Sequence, residues 1–199
     1  MSMLQPELDT KGKIIIKTID LIAKMGFKEV TTKQIAEAAG VSEITVFRHF
    51  QSKKKLLLEA LTVCAKPPSY LEELFTSGKL GRNLENDIQL IAQAYLCLLL
   101  DNLKIIQIIF HEANNIPEIN DTVDKRRFMN RTRLTEYFDT MQRRDKVVKG
   151  DSGIQASSLL WLCFGFFISR VILRNEPPSQ ADNESFEDSL RLFARGIAR

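Results

Sequence analysis

An all-α fold of about nine helices is what this 199-residue chain predicts, and three features of the sequence predict it. Apolar residues recur at three- and four-residue spacing along almost its whole length. No run shows the period-two alternation that a half-buried strand requires. Ser, Thr, Gly and Pro stand where helices should begin and end.

Taken in order, the first helix is expected over about Lys11 to Met25. Ile15, Ile19, Ile22 and Ala23 fall on one face, and Gly26 closes the helix as a C-cap residue. A second begins at Thr31, whose pairing with Gln34 has capping-box spacing, and runs through Ile35, Ala36 and Ala39 to Gly40. Ser42 can cap a third, Glu43 to Phe50, and Ser52 a fourth, Lys53 to about Ala65. Pro67 and Pro68 break the chain there, so we place a domain boundary between residues 1–66 and 67–199. Beyond it, Leu84, Ile88, Ile91, Tyr95 and Leu98 form one stripe, and Leu103 to Asn114 is a shorter, strongly apolar helix. Pro117 opens a long segment to about Arg144 that carries Val123, Leu134, Phe138 and Met141. After Gly150 and Gly153 comes Ile154 to Arg174, apolar on nearly all sides in its middle. The last helix follows a loop with Pro177 and Pro178 and aligns Phe186, Leu190, Phe193, Ala194 and Ile197.

Composition narrows the function. The chain is 44% hydrophobic, enough for a buried core, and its net charge is only +3. That charge is unevenly placed: the first 66 residues hold 11 Lys/Arg against 7 Asp/Glu, the remainder 17 against 18. A polyanion partner for the N-terminal part is implied. The opening MSMLQPELDTKG lacks a secretory pattern, and the most apolar stretch, Leu159 to Ile168, is short of the ~20 residues that span a bilayer. Cys64, Cys97 and Cys163 are odd in number and widely spaced, which argues against a disulfide framework. A soluble, cytoplasmic protein without membrane contact is expected.

No enzyme motif stands out. There is no Gly-rich phosphate loop, no G-x-S-x-G elbow and no C-x-x-C, and His111-Glu112 lacks the second His of a zinc site. Neither catalysis nor a metal or other cofactor is therefore expected. A rival reading is a thiol redox sensor built on Cys64, which lies near the expected boundary between domains.

Residues 32–50, TKQIAEAAGVSEITVFRHF, join two short helices by the turn Gly40-Val41-Ser42. Ala36 sits where the helices must approach closely, with Ile35, Val41 and Val46 as apolar pins. This is helix-turn-helix spacing, in which the second helix enters the major groove of DNA. Next to it, Ser52 precedes Lys53, Lys54 and Lys55, three cations in a first helical turn where the helix dipole disfavours them. An anion nearby, such as a phosphate, would make that arrangement favourable; a solvated charge run is the bland alternative.

The block TTKQIAEAAGVSEITVFRHFQSKKKLLLEAL, preceded by an amphipathic helix ending in MGFKEV, resembles the DNA-binding domain of the tetracycline-repressor (TetR) family of transcriptional regulators. The resemblance is close over about residues 11–61 and elsewhere extends only to length and helix pattern. It implies phosphate contacts for Thr32 and Lys53; the positive charge of Lys54 and Lys55 beside them is read from their place at the helix start and not from the resemblance. It places Ser42 and Glu43 at the entrance of the recognition helix and Thr45, Phe47, Arg48 and His49 within it. Two positions depart from the family pattern. Phe47 stands where members often carry Tyr and lacks the phenol that contacts phosphate, leaving a thymine methyl or a sugar as its partner. Lys54 stands where Glu is usual. Arg48 suits either a bidentate guanine contact or a phosphate, and His49 a phosphate-side donor.

The resemblance also implies an effector-binding and dimerisation domain after Pro68, hence a homodimer, a palindromic double-stranded operator and a small-molecule effector. Candidate pocket residues are Tyr95, Phe110, His111, Asn114, Phe128, Phe138, Trp161 and Phe164, with Arg127 and Asn130 as polar interruptions of an apolar stripe. Candidate interface residues are Trp161, Phe167 and Val171 on one helix and Phe186, Leu190, Phe193 and Ile197 on the other. Repression relieved by the effector is the expected mode; activation on the same scaffold has the same signature.

Overall fold

The structure is a computed structural model that describes residues 9–67, 69–174 and 176–199; for residues 122–129 it describes the helical backbone but not the side chains. Among the described residues there are ten α-helices. They are α1 (Thr10–Met25), α2 (Thr32–Ala39), α3 (Glu43–Phe50), α4 (Lys53–Cys64), α5 (Ser69–Thr76), α6 (Leu84–Asp101), α7 (Leu103–Glu112), α8 (Glu118–Arg143), α9 (Ser152–Phe167) and α10 (Gln180–Ile197). A π-helical turn, Ile168–Ile172, continues α9. The helix the sequence analysis lacks is α5, whose eight residues bury only Leu71 and Leu74, too few to set a period.

The chain divides into two compact units. One gathers the chain up to Lys66 together with Asn102–Asp124; the other holds Pro67–Asp101 and Lys125–Arg199. The return of 102–124 to the first unit has an apolar cause. Ile105, Ile108, Ile116 and Ile119 are buried in one cluster with Ile14, Ile15, Ile19 and Ile22 of α1 and Leu56, Leu57, Ala60 and Leu61 of α4. Polar ties reinforce it. The Lys66 N–H donates to Asn102 Oδ1 at 2.8 Å, and Lys104 Nζ reaches Asp20 Oδ1 at 2.6 Å.

A third tie is buried. Glu112, 6% exposed at the end of α7, accepts the Phe27 N–H through Oε1 at 2.9 Å, fixing the turn between α1 and α2. Truncating it strands that N–H, so Glu112→Ala is expected to lower stability by about 1–3 kcal/mol, whereas Glu112→Gln keeps an acceptor and most of the stability. Urea unfolding of the two variants checks this, and equal losses would contradict it.

The second unit packs Ile88, Ile91 and Ala92 of α6, Leu134, Phe138 and Met141 of α8, Leu159 and Cys163 of α9, and Phe186 and Leu190 of α10. Within it, buried Asp87 accepts both the Gly81 N–H at 2.6 Å and the Tyr137 hydroxyl at 2.8 Å. Burial, and then Asp87, push the Tyr137 phenol well above its ordinary range.

Two expectations change here. The apolar stretch of ten residues lies within a continuous helical run, Ser152–Ile172, of 21 residues with mean hydropathy 1.4, long and apolar enough to cross a bilayer. Part of that apolar surface, Ala156, Leu159, Cys163 and Phe167, is buried inside the protein. The α10 stripe likewise faces inward: Phe186 and Leu190 are buried, and Phe193 and Ile197 pack against the same core. Phe167 is fully buried and Val171 half-buried. An amphipathic helix turns its apolar stripe to its own core.

Candidate nucleic-acid interface

The α2–α3 pair is fixed by its own sequence. The Thr31 hydroxyl accepts the Gln34 N–H at 3.2 Å while the Gln34 side chain accepts the Thr31 N–H at 2.8 Å, a complete capping box. Gly40 ends α2 with φ 69° and ψ 35°, the left-handed conformation that a glycine adopts without strain. Ser42 then caps α3, its hydroxyl accepting the Thr45 N–H at 3.2 Å. Ile35, Ala36, Val46 and Phe50 are buried between the helices and Val41 packs against them, which sets how α3 stands on α2.

What α3 leaves outside is the candidate reading surface. Ser42, Glu43, Phe47, Arg48 and His49 are exposed and Thr45 is half-buried. Several polar groups at the entrance are engaged within the protein. The Thr32 hydroxyl donates to Glu43 Oε1 at 2.5 Å, and the Ser42 and Thr45 hydroxyls lie 2.9 Å apart. Ile44, outside the set of residues expected from the sequence, is 80% exposed on the same helix as Phe47 at 67%. Its signal was available: Ile44 falls off the period that carries Val46 and Phe50 into the core.

The three lysines opening α4 have partners inside the first unit. Lys53 Nζ donates to the Phe27 and Val30 carbonyls, each at 2.7 Å, and lies 4.3 Å from the centre of the Phe27 ring. Lys54 Nζ meets Glu118 Oε1 at 2.6 Å, and Lys55 Nζ meets Gln51 Oε1 at 2.6 Å. The Lys54 hydrogen bond is the main cause holding the Glu118 carboxyl below its usual range. Cations at a helix N-terminus are therefore offset by acceptors of the chain itself, a source of compensation that the sequence analysis did not consider. Lys53 faces inward as a strut for the α1–α2 turn. The Lys54–Glu118 pair is solvent-exposed on both sides, and in water such a pair exchanges partners readily.

The expected effector residues fall on both units. Phe110, His111 and Asn114 are exposed on the first unit. On the second, Tyr95, Asn130 and Phe164 are half-buried, Trp161 is 71% exposed, and Phe138 is fully enclosed by the core. The side chains of Arg127 and Phe128 lie outside the described residues. Between α9 and α10 an open groove of about 300 Å³ is lined by Trp161, Gly165, Phe166, Arg170, Asp182 and Phe186, among others. Arg170 Nε pairs with Asp182 Oδ1 at 3.1 Å there.

Cys64 is half-buried and Cys163 buried. Burial first, and then Asp20, push the Cys64 thiol up, and burial pushes Cys163 up to about 12. A raised thiol pKa works against the thiolate that a Cys64 redox sensor requires.

Comparison with known proteins places this geometry among regulators. Residues 14–60 match the pattern of bacterial regulatory proteins of the tetR family. The chain is 31% identical to YvkB, an uncharacterised HTH-type transcriptional regulator of Bacillus subtilis, over 193 residues that cover 95% of this chain and 97% of the relative. A TetR-family regulator from Mesorhizobium loti superposes with a TM-score of 0.78 at 20% identity, over 96% of this chain and 97% of that one. A transcriptional regulator from Saccharomonospora viridis, solved in complex with choline, superposes with a TM-score of 0.73 at 21% identity, over 96% and 98%. At those identities the two structures show the fold.

Proposed function

The chain belongs to the TetR family of helix-turn-helix transcriptional regulators, and from that premise we propose that it is a homodimeric repressor, released from a palindromic operator by a small molecule. The observation that carries the reading is the exposed outward face of α3 with Arg48 on it, a helix packed on α2 through Ile35, Ala36, Val46 and Phe50 and followed by the exposed Lys54 and Lys55 of α4. Helix-turn-helix proteins lay this face in the major groove, with phosphates gripped around it.

Within that reading Arg48 contacts a base and His49 a phosphate. Thr32, whose hydroxyl stays on Glu43, meets a phosphate through its backbone N–H at the start of α2, and Lys54 and Lys55 turn to phosphates by releasing Glu118 and Gln51. Lys53, whose ammonium holds two backbone carbonyls, offers its own backbone N–H at the start of α4. Ser42 and Thr45 keep the helix entrance in shape. Residues 1–66 supply DNA binding and 67–199 the effector site and the dimer contact. The protein acts in the cytoplasm, where its operator lies. Repression follows the habit of the family, and the choline complex of the Saccharomonospora viridis regulator supports a small organic effector. The ligand acts by favouring an arrangement in which the two reading heads no longer match successive grooves.

For the dimer, α9 and α10 keep Ile154, Trp161 and Leu192 outside, at 62%, 71% and 74% exposure. A two-fold pairing of these helices buries them and fills the groove between. Trp161→Glu places a charge there and is expected to give monomers at micromolar concentration in sedimentation analysis, with the operator affinity lost alongside. A variant that sediments as a dimer would move the interface elsewhere. The DNA reading is tested by selection from a pool of randomised duplexes. Enrichment of an inverted repeat supports it, and failure to enrich any sequence contradicts it.

A further inference from the structure

We infer that Ile44 and Phe47 read thymine methyl groups, so that the operator half-site carries thymines beneath them. This rests on the DNA-binding reading and deepens it. Both side chains are large and apolar, and both stand out of a helix whose other apolar residues, Val46 and Phe50, are buried. They are three residues apart, so their Cβ atoms lie about 5–6 Å from each other on one face. Arg48, four residues after Ile44, shares that face.

The part of the chain that carries this apolar pair is cationic: residues 1–66 hold 11 Lys/Arg against 7 Asp/Glu, and Lys33, Arg48, Lys54 and Lys55 of α2, α3 and α4 are all exposed. A polyanion fits that surroundings, whereas an apolar protein surface does not. In the major groove the one apolar feature a base pair presents is the C5-methyl of thymine. The nearest polar side chains of α3 are engaged elsewhere: Ser42 with Thr45, and Glu43 with Thr32. The groups left to meet base edges are Ile44, Phe47 and Arg48. Base pairs rise by about 3.4 Å, so two Cβ atoms 5–6 Å apart cover methyls within two base-pair steps of each other.

The experiment uses the full-length protein and a duplex obtained by selection, in which each thymine is replaced in turn by deoxyuridine. That change deletes the methyl and keeps every hydrogen-bonding edge. The expected result is a loss of about fourfold in affinity, the transfer value of one methyl-sized group, at two thymines per half-site lying within two base-pair steps. Ile44→Ala should abolish the response at one of them and Phe47→Ala at another; both side chains are exposed, so the fold is retained. A duplex bound with clear sequence preference yet indifferent to every substitution overturns the inference and leaves the DNA reading standing. A response that persists unchanged in both variants also overturns it. Failure to select any sequence removes both together.

Discussion

Arg48→Ala is expected to erase most of the discrimination between operator and unrelated duplex, at a cost of about 1–3 kcal/mol for each reading head. Arg48 is exposed in the last turn of α3, so truncation should leave the fold and its unfolding midpoint intact. Its guanidinium presents paired donors that match O6 and N7 of one guanine, and alanine offers nothing in exchange. Binding titrations on operator and scrambled duplexes across a salt series distinguish the two roles an arginine can take. A base reader loses affinity for the operator while binding to scrambled DNA stays nearly constant. A phosphate contact instead weakens both duplexes together and lowers the salt slope by about one. The account predicts the first pattern, and an unchanged ratio of the two affinities contradicts it.

The largest expected effect on stability lies in the second unit. Phe138 is fully buried, its ring 5.2 Å from that of Tyr137 and 6.4 Å from that of Phe193. Phe138→Ala removes the ring from the centre of the α6–α8–α9–α10 core and should cost about 3–5 kcal/mol, read as a lower urea midpoint. A residue that lined a ligand site would behave otherwise. It would alter ligand affinity and leave the midpoint within about 1 kcal/mol of the parent, and that outcome would return Phe138 to the pocket.

The reading of Phe138 shows where sequence reasoning stops. Helical period, capping pairs and left-handed glycine are local properties, and they place α1 to α4 within a residue or two. Thr31–Gln34, Gly40 and Ser42 do in the structure what their spacing implies. Long-range partners are not written in spacing. Nothing local says that Lys53 reaches back to Phe27 and Val30, or that Asn102–Asp124 joins the first unit. Glu112 lay on the same stripe as Ile105 and Ile108, a signal that an acidic residue was entering the core, but only tertiary structure supplies its donor. The α10 stripe was legible as apolar; whether it served the subunit's own core or a partner depended on what else covered that core. Ile44 shows the reverse case, an apolar residue that the packing leaves outside because Val46 and Phe50 already fill the inward face.

These elements converge on one claim, that two copies of the chain present paired α3 helices to successive major grooves. Sedimentation equilibrium of the protein on its selected duplex, with the spacing between half-sites varied in single base-pair steps, tests it most directly. The account predicts two protomers per duplex and an affinity maximum where the half-site centres lie about 34–36 Å apart, falling steeply one or two steps to either side. One protomer per duplex, or an affinity indifferent to spacing, would contradict it.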